Sequence, residues 1–186
     1  MAHVRTFVAV EMPETVRQQF RDVQAELRRA EAHVKWVEPH NIHVTLKFLG
    51  EIPEERLEGL YNGVAQGVHA CAPFEINLSR LGAFPNLRRP RVVWIGIDSG
   101  KERLIELQER LEESISQHGF PQERRPFSPH LTIGRVKSPR GADDLVDAIK
   151  ATSFQSGPIE VGEVVVMKST LTPEGPTYTP LRRVGL

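Results

Sequence analysis

The chain has 186 residues, of which 39% are hydrophobic, and its 24 basic residues are balanced by 24 acidic ones. This length fits one domain, or two small lobes that share one sheet system, and the apolar content is sufficient for a buried core. Because the net charge is zero, no overall field attracts DNA or membranes, so an anionic partner has to be bound locally.

Cysteine content and hydropathy indicate the cellular compartment in which the protein functions. The single cysteine, Cys71, excludes an intrachain disulfide and a metal site made of several cysteines, as is typical of a reducing compartment. Met1 leads directly into a strand-like segment, and no run of about 18 apolar residues occurs, so neither export nor a membrane span is indicated. We therefore predict a cytoplasmic location, no membrane partner and no obligate protein partner.

Hydrophobic periodicity predicts the elements of the first half of the chain. Apolar residues spaced three and four apart indicate helices, whereas short runs of β-branched and aromatic residues indicate strands. The predicted elements are a strand over 5–10, a helix over 14–30, strands over 34–37 and 42–49, a turn over 50–53, a helix over 57–68 and a strand over 74–78.

The second half shows a similar succession of strands and helices. A proline-containing loop over 82–90 precedes a strand over 92–97 that is apolar enough to be buried on both faces. Ser99 and Glu102 have the spacing of a capping box, which predicts a helix that ends at Gly119. The remaining predicted elements are a strand within 127–136, a short helix around 145–149 and strands over 161–171 and 177–184. This order predicts an α+β fold with a rough internal duplication whose second half begins near residue 91.

Two copies of one tetrapeptide pattern stand out in this succession. Residues 43–46 read His-Val-Thr-Leu and residues 130–133 read His-Leu-Thr-Ile. In a strand alternate side chains share a face, so His43 lies beside Thr45 and His130 beside Thr132, while the aliphatic residues turn toward the core. We therefore expect a cleft with a histidine and a threonine on each wall.

Paired imidazoles suit displacement at phosphorus. An imidazole titrates near pH 6.5, so one can accept a proton from the attacking hydroxyl or water while the other donates a proton to the departing oxygen. The neighbouring threonine hydroxyls can donate hydrogen bonds to the phosphate oxygens, on which charge grows in the transition state. This chemistry requires no metal and no other cofactor.

The two tetrads and their flanks resemble those of the 2H phosphoesterase superfamily, and in particular its RNA 2′,3′-cyclic phosphodiesterases, also called 2′-5′ RNA ligases. The resemblance covers nearly the whole chain. It is carried by the tetrads, by Phe48-Leu49-Gly50 after the first, by Arg135 after the second, and by segments 5–10, 36–42, 81–85, 91–94, 125–129 and 169–178.

The resemblance implies a fold and an activity. The expected fold is α+β and bilobal, with pseudo-two-fold duplicated lobes, antiparallel sheets around a central cleft and residues 1–186 in a single domain. The expected activity is metal-independent hydrolysis of RNA 2′,3′-cyclic phosphate ends to 2′-phosphomonoesters, with His43 as the acid and His130 as the base. Run in reverse, or with a 5′-hydroxyl as the nucleophile, the same groups could form a 2′-5′ linkage.

Five further residues are candidate substrate contacts. Thr45 and Thr132 are expected to bind the phosphate. Arg135 is at odd spacing from its histidine, so a bulge or the end of the strand would be needed to bring it to the phosphate, as the resemblance implies. Phe48 has the same parity problem and is expected in the core, although the family would allow it to stack on a base. Lys47 shares the face of Thr45, where it would supply positive charge or be solvated.

Several alternatives stay open at this level. Three arginines of the loop (Arg88, Arg89 and Arg91) could attract an RNA backbone or be surface residues, and a base could stack on Trp36, Phe84 or Tyr178. His40 and His43 are three apart, but Pro39 disfavours the shared helical face that a metal site of this spacing needs. The chain could also be an RNA-end-binding module without catalysis, or a phosphodiesterase for a small cyclic nucleotide.

Overall fold

The computed structural model describes residues 2–186, which form two antiparallel sheets and four α-helices. The strands are β1 His3–Glu11, β2 Val34–Trp36, β3 His43–Pro53, β4 Phe74–Phe84, β5 Val92–Ile97, β6 His130–Val136, β7 Gln155–Val161, β8 Glu163–Thr172 and β9 Gly175–Gly185. The helices are α1 Glu14–Arg28, α2 Leu57–Val68, α3 Lys101–Gln117 and α4 Ala142–Ala151. The predicted α+β class is confirmed.

The two motif strands lie in different sheets. One sheet has the strand order β3-β1-β8-β9 and the other the order β2-β6-β5-β4-β7. Helices α2 and α3 pack on the first sheet, whereas α1 and α4 cover the second. Strands β3 and β6 contact each other where the sheets meet, so each sheet contributes one histidine motif to the groove between them. The predicted arrangement of antiparallel sheets around a central cleft is confirmed.

The lobes are not the two halves of the sequence. Strand β4 precedes residue 91 but pairs with β5 and β7, in the sheet of the second motif. Strands β8 and β9 come last in the chain but complete the sheet of the first motif. A boundary near residue 91 is therefore wrong, because the chain crosses between the sheets several times.

Residues of β1 alternate between two apolar clusters. Val8 and Val10 point toward the helices and join the main core, which extends under both sheets. Phe7 and Ala9 point to the opposite face, where they pack with residues of β8 and with Tyr178. The first sheet is therefore buried on its helix side, and its other face is covered by a small apolar cluster beside the cleft.

Some predicted boundaries were wrong for identifiable reasons. Residues 50–53 continue β3 because they pair with the start of β1, and Pro53 is tolerated at the end of an edge strand. Strand β7 was missed because Gly157 and Pro158 interrupt its apolar pattern; it too is an edge strand. The residue that precedes helix α3 is Gly100, whose backbone is in the left-handed region. No side chain caps the start of this helix, so the capping box predicted at Ser99 does not form.

Strand β5 was expected to be buried on both faces, and this is wrong. Val93, Ile95 and Ile97 are buried in the core, but Val92, Trp94 and Gly96 are only half-buried on the opposite face. That face is the one that carries the second motif, because Trp94 is opposite Thr132 and Gly96 is opposite His130. Within residues 2–186, no helix is both long and apolar enough to cross a lipid bilayer.

Candidate active site

A cleft of about 880 Å³ lies between the two sheets and is bordered by both tetrads. His43 and Thr45 line the wall formed by β3, and His130 and Thr132 line the wall formed by β6. Alternation along each strand places the histidine and its threonine on the cleft face, whereas Val44, Leu46, Leu131 and Ile133 are buried in the core. The structure thus brings the two pairs to one cavity.

The tautomer of the neutral His43 ring is fixed by a backbone carbonyl. Its Nδ1 lies 2.6 Å from the carbonyl oxygen of Asn41, and a carbonyl can only accept, so Nδ1 carries the hydrogen. In the neutral ring, Nε2 is then the free acceptor, and it lies 2.9 Å from the hydroxyl of Thr45. The hydroxyl donates to this nitrogen. The ring is also fixed by stacking on Phe7 at 4.8 Å and by the edge of Tyr178 at 5.3 Å.

His130 is held in the same way on the opposite wall. Its Nδ1 lies 2.7 Å from the carbonyl oxygen of Ser128. Ser128 precedes His130 by two residues, just as Asn41 precedes His43 by two residues. Phe84 meets the ring edge-on at 4.9 Å and is itself packed against Trp94 at 5.3 Å. Trp94 lies so close over Gly82 that a Cβ there would be 2.2 Å from the indole. Because Nδ1 of each histidine is bound to a carbonyl, Nε2 is the ring nitrogen that is left for proton transfer in both.

Burial lowers the pKa of His43 below the ordinary imidazole value of 6.5, and the Asn41 hydrogen bond and the Glu11 carboxylate only partly oppose it. We expect a ¹⁵N NMR titration of the free protein to show a midpoint for His43 below 6.5, with hydrogen on Nδ1 at high pH. Loss of one resonance in the His43→Gln variant assigns the signal. A midpoint at or above 6.5 would contradict this environment.

The same shift makes the stability of the fold depend on pH and sets the charge of the His43 ring. Between the folded pKa and about 6.5 the unfolded chain binds more protons, so this contribution to stability is present above pH 6.5 and is lost as pH falls through the folded value. His43 is therefore mainly neutral in the free protein near pH 7. To donate a proton at this pH, the ring would first have to gain one, and a bound anion would favour this by raising the imidazole pKa.

A β-bulge follows the threonine in each motif strand. In β3, Thr45 is opposite Ala9 and Lys47 is opposite Val8, so Leu46 is the extra residue. In β6, Thr132 is opposite Trp94 and Gly134 is opposite Val93, so Ile133 is extra. An extra residue reverses the side-chain alternation beyond it. The third residue after each threonine therefore returns to the cleft face.

This reversal corrects two predictions for β3. Phe48 is not a core residue: 55% of it is exposed, it lies opposite Phe7 on the cleft face, and the guanidinium of Arg5 sits 4.8 Å from its ring centre. Lys47 does not share the face of Thr45. It borders the cleft but is only 5% exposed, and its ammonium donates to Glu112 at 2.6 Å and to the Pro121 carbonyl at 2.9 Å.

The bulge in β6 is the irregularity that the sequence analysis required to bring Arg135 to the cleft face. It turns this side chain to the face of Thr132, and Arg135 lines the cleft. Arg135 and Arg5 both lie close enough to Tyr178 to favour its ionised form, although burial, the larger effect, raises the pKa of this phenol. Phe48 and Arg135 occupy equivalent positions in the two motifs, so one wall offers an aromatic ring and the other a guanidinium.

The remaining candidates divide by position. Tyr178 and Phe84 line the cleft and contact the histidine rings, and Trp36 lines it with the guanidinium of Arg28 over its ring. The loop arginines Arg88, Arg89 and Arg91 are exposed and lie outside the cleft lining.

Sequence reasoning missed two contributors to the site. Arg5 reaches the cleft from β1, and the alternation of its strand was the available signal. Asn41 orients His43 through its carbonyl and binds the Pro176 carbonyl through its side-chain amide at 2.8 Å, a contact between distant segments that no local pattern indicates. Among residues 2–186, no cluster of three or more histidine, cysteine, aspartate or glutamate residues is arranged to hold a metal ion.

Comparison with known proteins identifies relatives whose alignments extend over nearly the whole chain. A model described as the 2′-5′ RNA ligase superfamily matches residues 7–172. An RNA 2′,3′-cyclic phosphodiesterase of Methanothermobacter thermautotrophicus is 41% identical, covering 96% of each chain, and one of Archaeoglobus fulgidus is 38% identical, covering 96% of this chain and 98% of the relative. The crystal structure of E. coli LigT complexed with 3′-AMP aligns with a TM-score of 0.81 and 29% identity, over 100% of this chain and 99% of that chain.

Proposed function

We propose a function for this chain from one premise: the chain belongs to the 2′-5′ RNA ligase superfamily. Its function is the hydrolysis of RNA 2′,3′-cyclic phosphate ends to 2′-phosphomonoesters, as an RNA 2′,3′-cyclic phosphodiesterase. The observation that carries the proposal is the pair of oriented imidazoles on opposite walls of one cleft, each with Nδ1 bound to a carbonyl and Nε2 left for proton transfer.

The reaction needs one base and one acid. One imidazole takes a proton from water, the water oxygen attacks phosphorus, and the bond from phosphorus to the 3′ oxygen breaks. The second imidazole gives its proton to that departing oxygen, which becomes the 3′-hydroxyl, and the phosphate stays on the 2′ oxygen. We assign His130 as the base and His43 as the acid, and His43 gains its proton when the anionic substrate binds. Because the imidazoles supply both proton transfers, no step requires a metal ion.

Thr45 changes its hydrogen-bond partner as the proton moves. In the neutral ring, Thr45 donates its hydroxyl hydrogen to Nε2 of His43. Once Nε2 is protonated it becomes a donor, and the Thr45 hydrogen is released to bind a phosphate oxygen. Thr132 has the equivalent place beside His130 and binds the second non-bridging oxygen. Charge developing on the phosphate is thus met by hydroxyl donors from both walls.

Two cleft residues complete the proposed contacts with the terminal nucleotide. The guanidinium of Arg135 lies on the face of Thr132 and neutralises phosphate charge. Phe48, exposed beside the guanidinium of Arg5, provides a face on which the base stacks. Lys47 is left out of these contacts, because its ammonium is occupied by Glu112 and Pro121. With an RNA 5′-hydroxyl in place of water as the nucleophile, the same displacement would form a 2′-5′ linkage and leave the 3′-hydroxyl.

Product analysis tests this function. We expect a short oligoribonucleotide with a 2′,3′-cyclic phosphate to be converted to its 2′-phosphate, identified by ³¹P NMR, at a rate that EDTA does not change. A metal-dependent phosphodiesterase treated in parallel confirms that chelation is effective. A 3′-phosphate product would contradict the assigned leaving group, and loss of turnover in EDTA would contradict the two-histidine scheme. Tight binding without any product would instead indicate an RNA-end-binding module.

We further propose that residues 1–186 act as one domain in the cytoplasm. The main apolar core contains residues of both sheets and of all four helices described, which supports a single folding unit. The one cysteine, Cys71, is free in the structure, in keeping with a reducing compartment.

A further inference from the structure

Three cationic side chains form a row that leads away from the reaction centre. Lys35 of β2 is directly opposite Arg135 of β6, so the two side chains share a face of the second sheet. Lys137 follows two residues after Arg135, and its backbone N–H donates to the His33 carbonyl at 2.7 Å, which extends the ladder between the two segments. All three residues line the cleft. We call Lys35, Arg135 and Lys137 the cation row.

The charges of the cation row are available to a ligand. None of the three makes a salt bridge with any residue that the structure describes, whereas the cleft-lining Lys47 is bound to Glu112. Lys137 follows the last residue of β6 and is seven residues from His130, which at about 3.3 Å per residue is roughly 23 Å of extended chain. The row therefore extends well beyond the space that one phosphate group occupies at the two histidines.

We propose that the cation row continues from the terminal phosphate at Arg135 to the RNA backbone, with Lys35 and Lys137 binding the phosphates upstream of the cyclic end, so that the cleft selects oligonucleotide ends over mononucleotides. This inference rests on the proposed function. A 2′,3′-cyclic phosphate terminates the chain, so every further phosphate of the substrate is attached through the 5′ oxygen of the terminal nucleotide. An extended row of unpaired cations on one wall matches this one-sided distribution of charge.

The arrangement favours single-stranded RNA over a small nucleotide. A mononucleotide brings only the cyclic phosphate, which the tetrads and Arg135 can hold, and leaves Lys35 and Lys137 without a ligand. The opposite wall carries Phe48 and Arg5 at the first motif, where the terminal base would stack. Backbone contacts by cations without base-specific partners predict little sequence preference upstream of the terminal nucleotide.

The test compares a trinucleotide with a mononucleotide that has the same terminal base and cyclic phosphate. For single strands the salt slope is about 0.7 per phosphate contact, so two upstream contacts predict an additional decrease in kcat/KM of about 7-fold for the trinucleotide between 50 and 200 mM salt. In the Lys35→Ala/Lys137→Ala variant, we expect the additional salt dependence to disappear and the trinucleotide-to-mononucleotide ratio of kcat/KM to fall. The matched control is Arg88→Ala/Arg89→Ala, which removes two exposed cations outside the cleft and should keep the wild-type ratio.

The outcomes separate this inference from the proposed function. Hydrolysis of both substrates with equal kcat/KM and equal salt dependence would overturn the cation row while leaving the phosphodiesterase intact. An equal loss of preference in both double variants would also overturn it, because the effect would then be one of overall charge. If neither substrate is hydrolysed, binding of a fluorescent trinucleotide 2′-phosphate decides: unchanged affinity in Lys35→Ala/Lys137→Ala refutes the row, and weakened affinity supports it.

Discussion

His43→Ala and His130→Ala are each expected to lower kcat by roughly 10²–10⁴-fold, the usual contribution of a positioned proton-transfer group. Each imidazole has its Nδ1 fixed by a carbonyl, so water in its place cannot reproduce the orientation of Nε2. Because both groups act in one displacement, the double variant should lose little more than the worse single variant. Steady-state hydrolysis of a cyclic-ended oligonucleotide measures the effect.

The roles of the two histidines can be separated by the leaving atom. A substrate with sulfur in place of the departing 3′ oxygen needs little protonation, so it should restore much of the activity of His43→Ala and none of that of His130→Ala. His69→Ala, at an exposed position after α2, is the control and should keep wild-type turnover. Wild-type turnover in either cleft variant with the natural substrate would sink the scheme, and rescue of His130→Ala alone would exchange the two roles.

Lys47→Met is expected to lower the free energy of unfolding by about 3–5 kcal/mol, because it leaves the buried Glu112 carboxylate without its cation. The pair is 2.6 Å apart, and the Lys47 side chain is 4% exposed. Glu112 also accepts from the backbone N–H of Glu123 and from the side chain of Gln108, so the carboxylate cannot turn to solvent without breaking further hydrogen bonds. Urea denaturation monitored by circular dichroism measures the loss.

Two further variants distinguish the buried charge from simple loss of contacts. Lys47→Met/Glu112→Gln removes the unpaired charge while an amide oxygen can still accept from Glu123, so it should be more stable than Lys47→Met alone. Arg29→Met breaks an exposed ion pair with Glu26, 2.8 Å long, and should change stability by at most about 1 kcal/mol. A loss below that level in Lys47→Met would show that the pair contributes no more than a surface contact.

Local patterns in the sequence were sufficient to locate the two histidine-threonine pairs. The period of two in a strand placed His43 beside Thr45 and His130 beside Thr132, and both pairs line the cleft. Apolar periodicity also located most helices and strands, because each reports burial of one face of a single element. The resemblance of the flanking segments to known phosphodiesterases then indicated that the pairs meet, which spacing alone could not establish.

Tertiary structure decided what lies beyond each threonine. Counting from the histidine placed Lys47 on the face of Thr45 and Phe48 in the core, and both placements were wrong because Leu46 is an extra residue of β3 between the partners of Ala9 and Val8. Whether a strand contains such a residue depends on its register with a partner distant in sequence, which local alternation cannot show. The pairing of Lys35 with Arg135 likewise joins segments about 100 residues apart. The sequence by itself determined the two histidine-threonine pairs, and long-range strand pairing determined which charges and rings surround them.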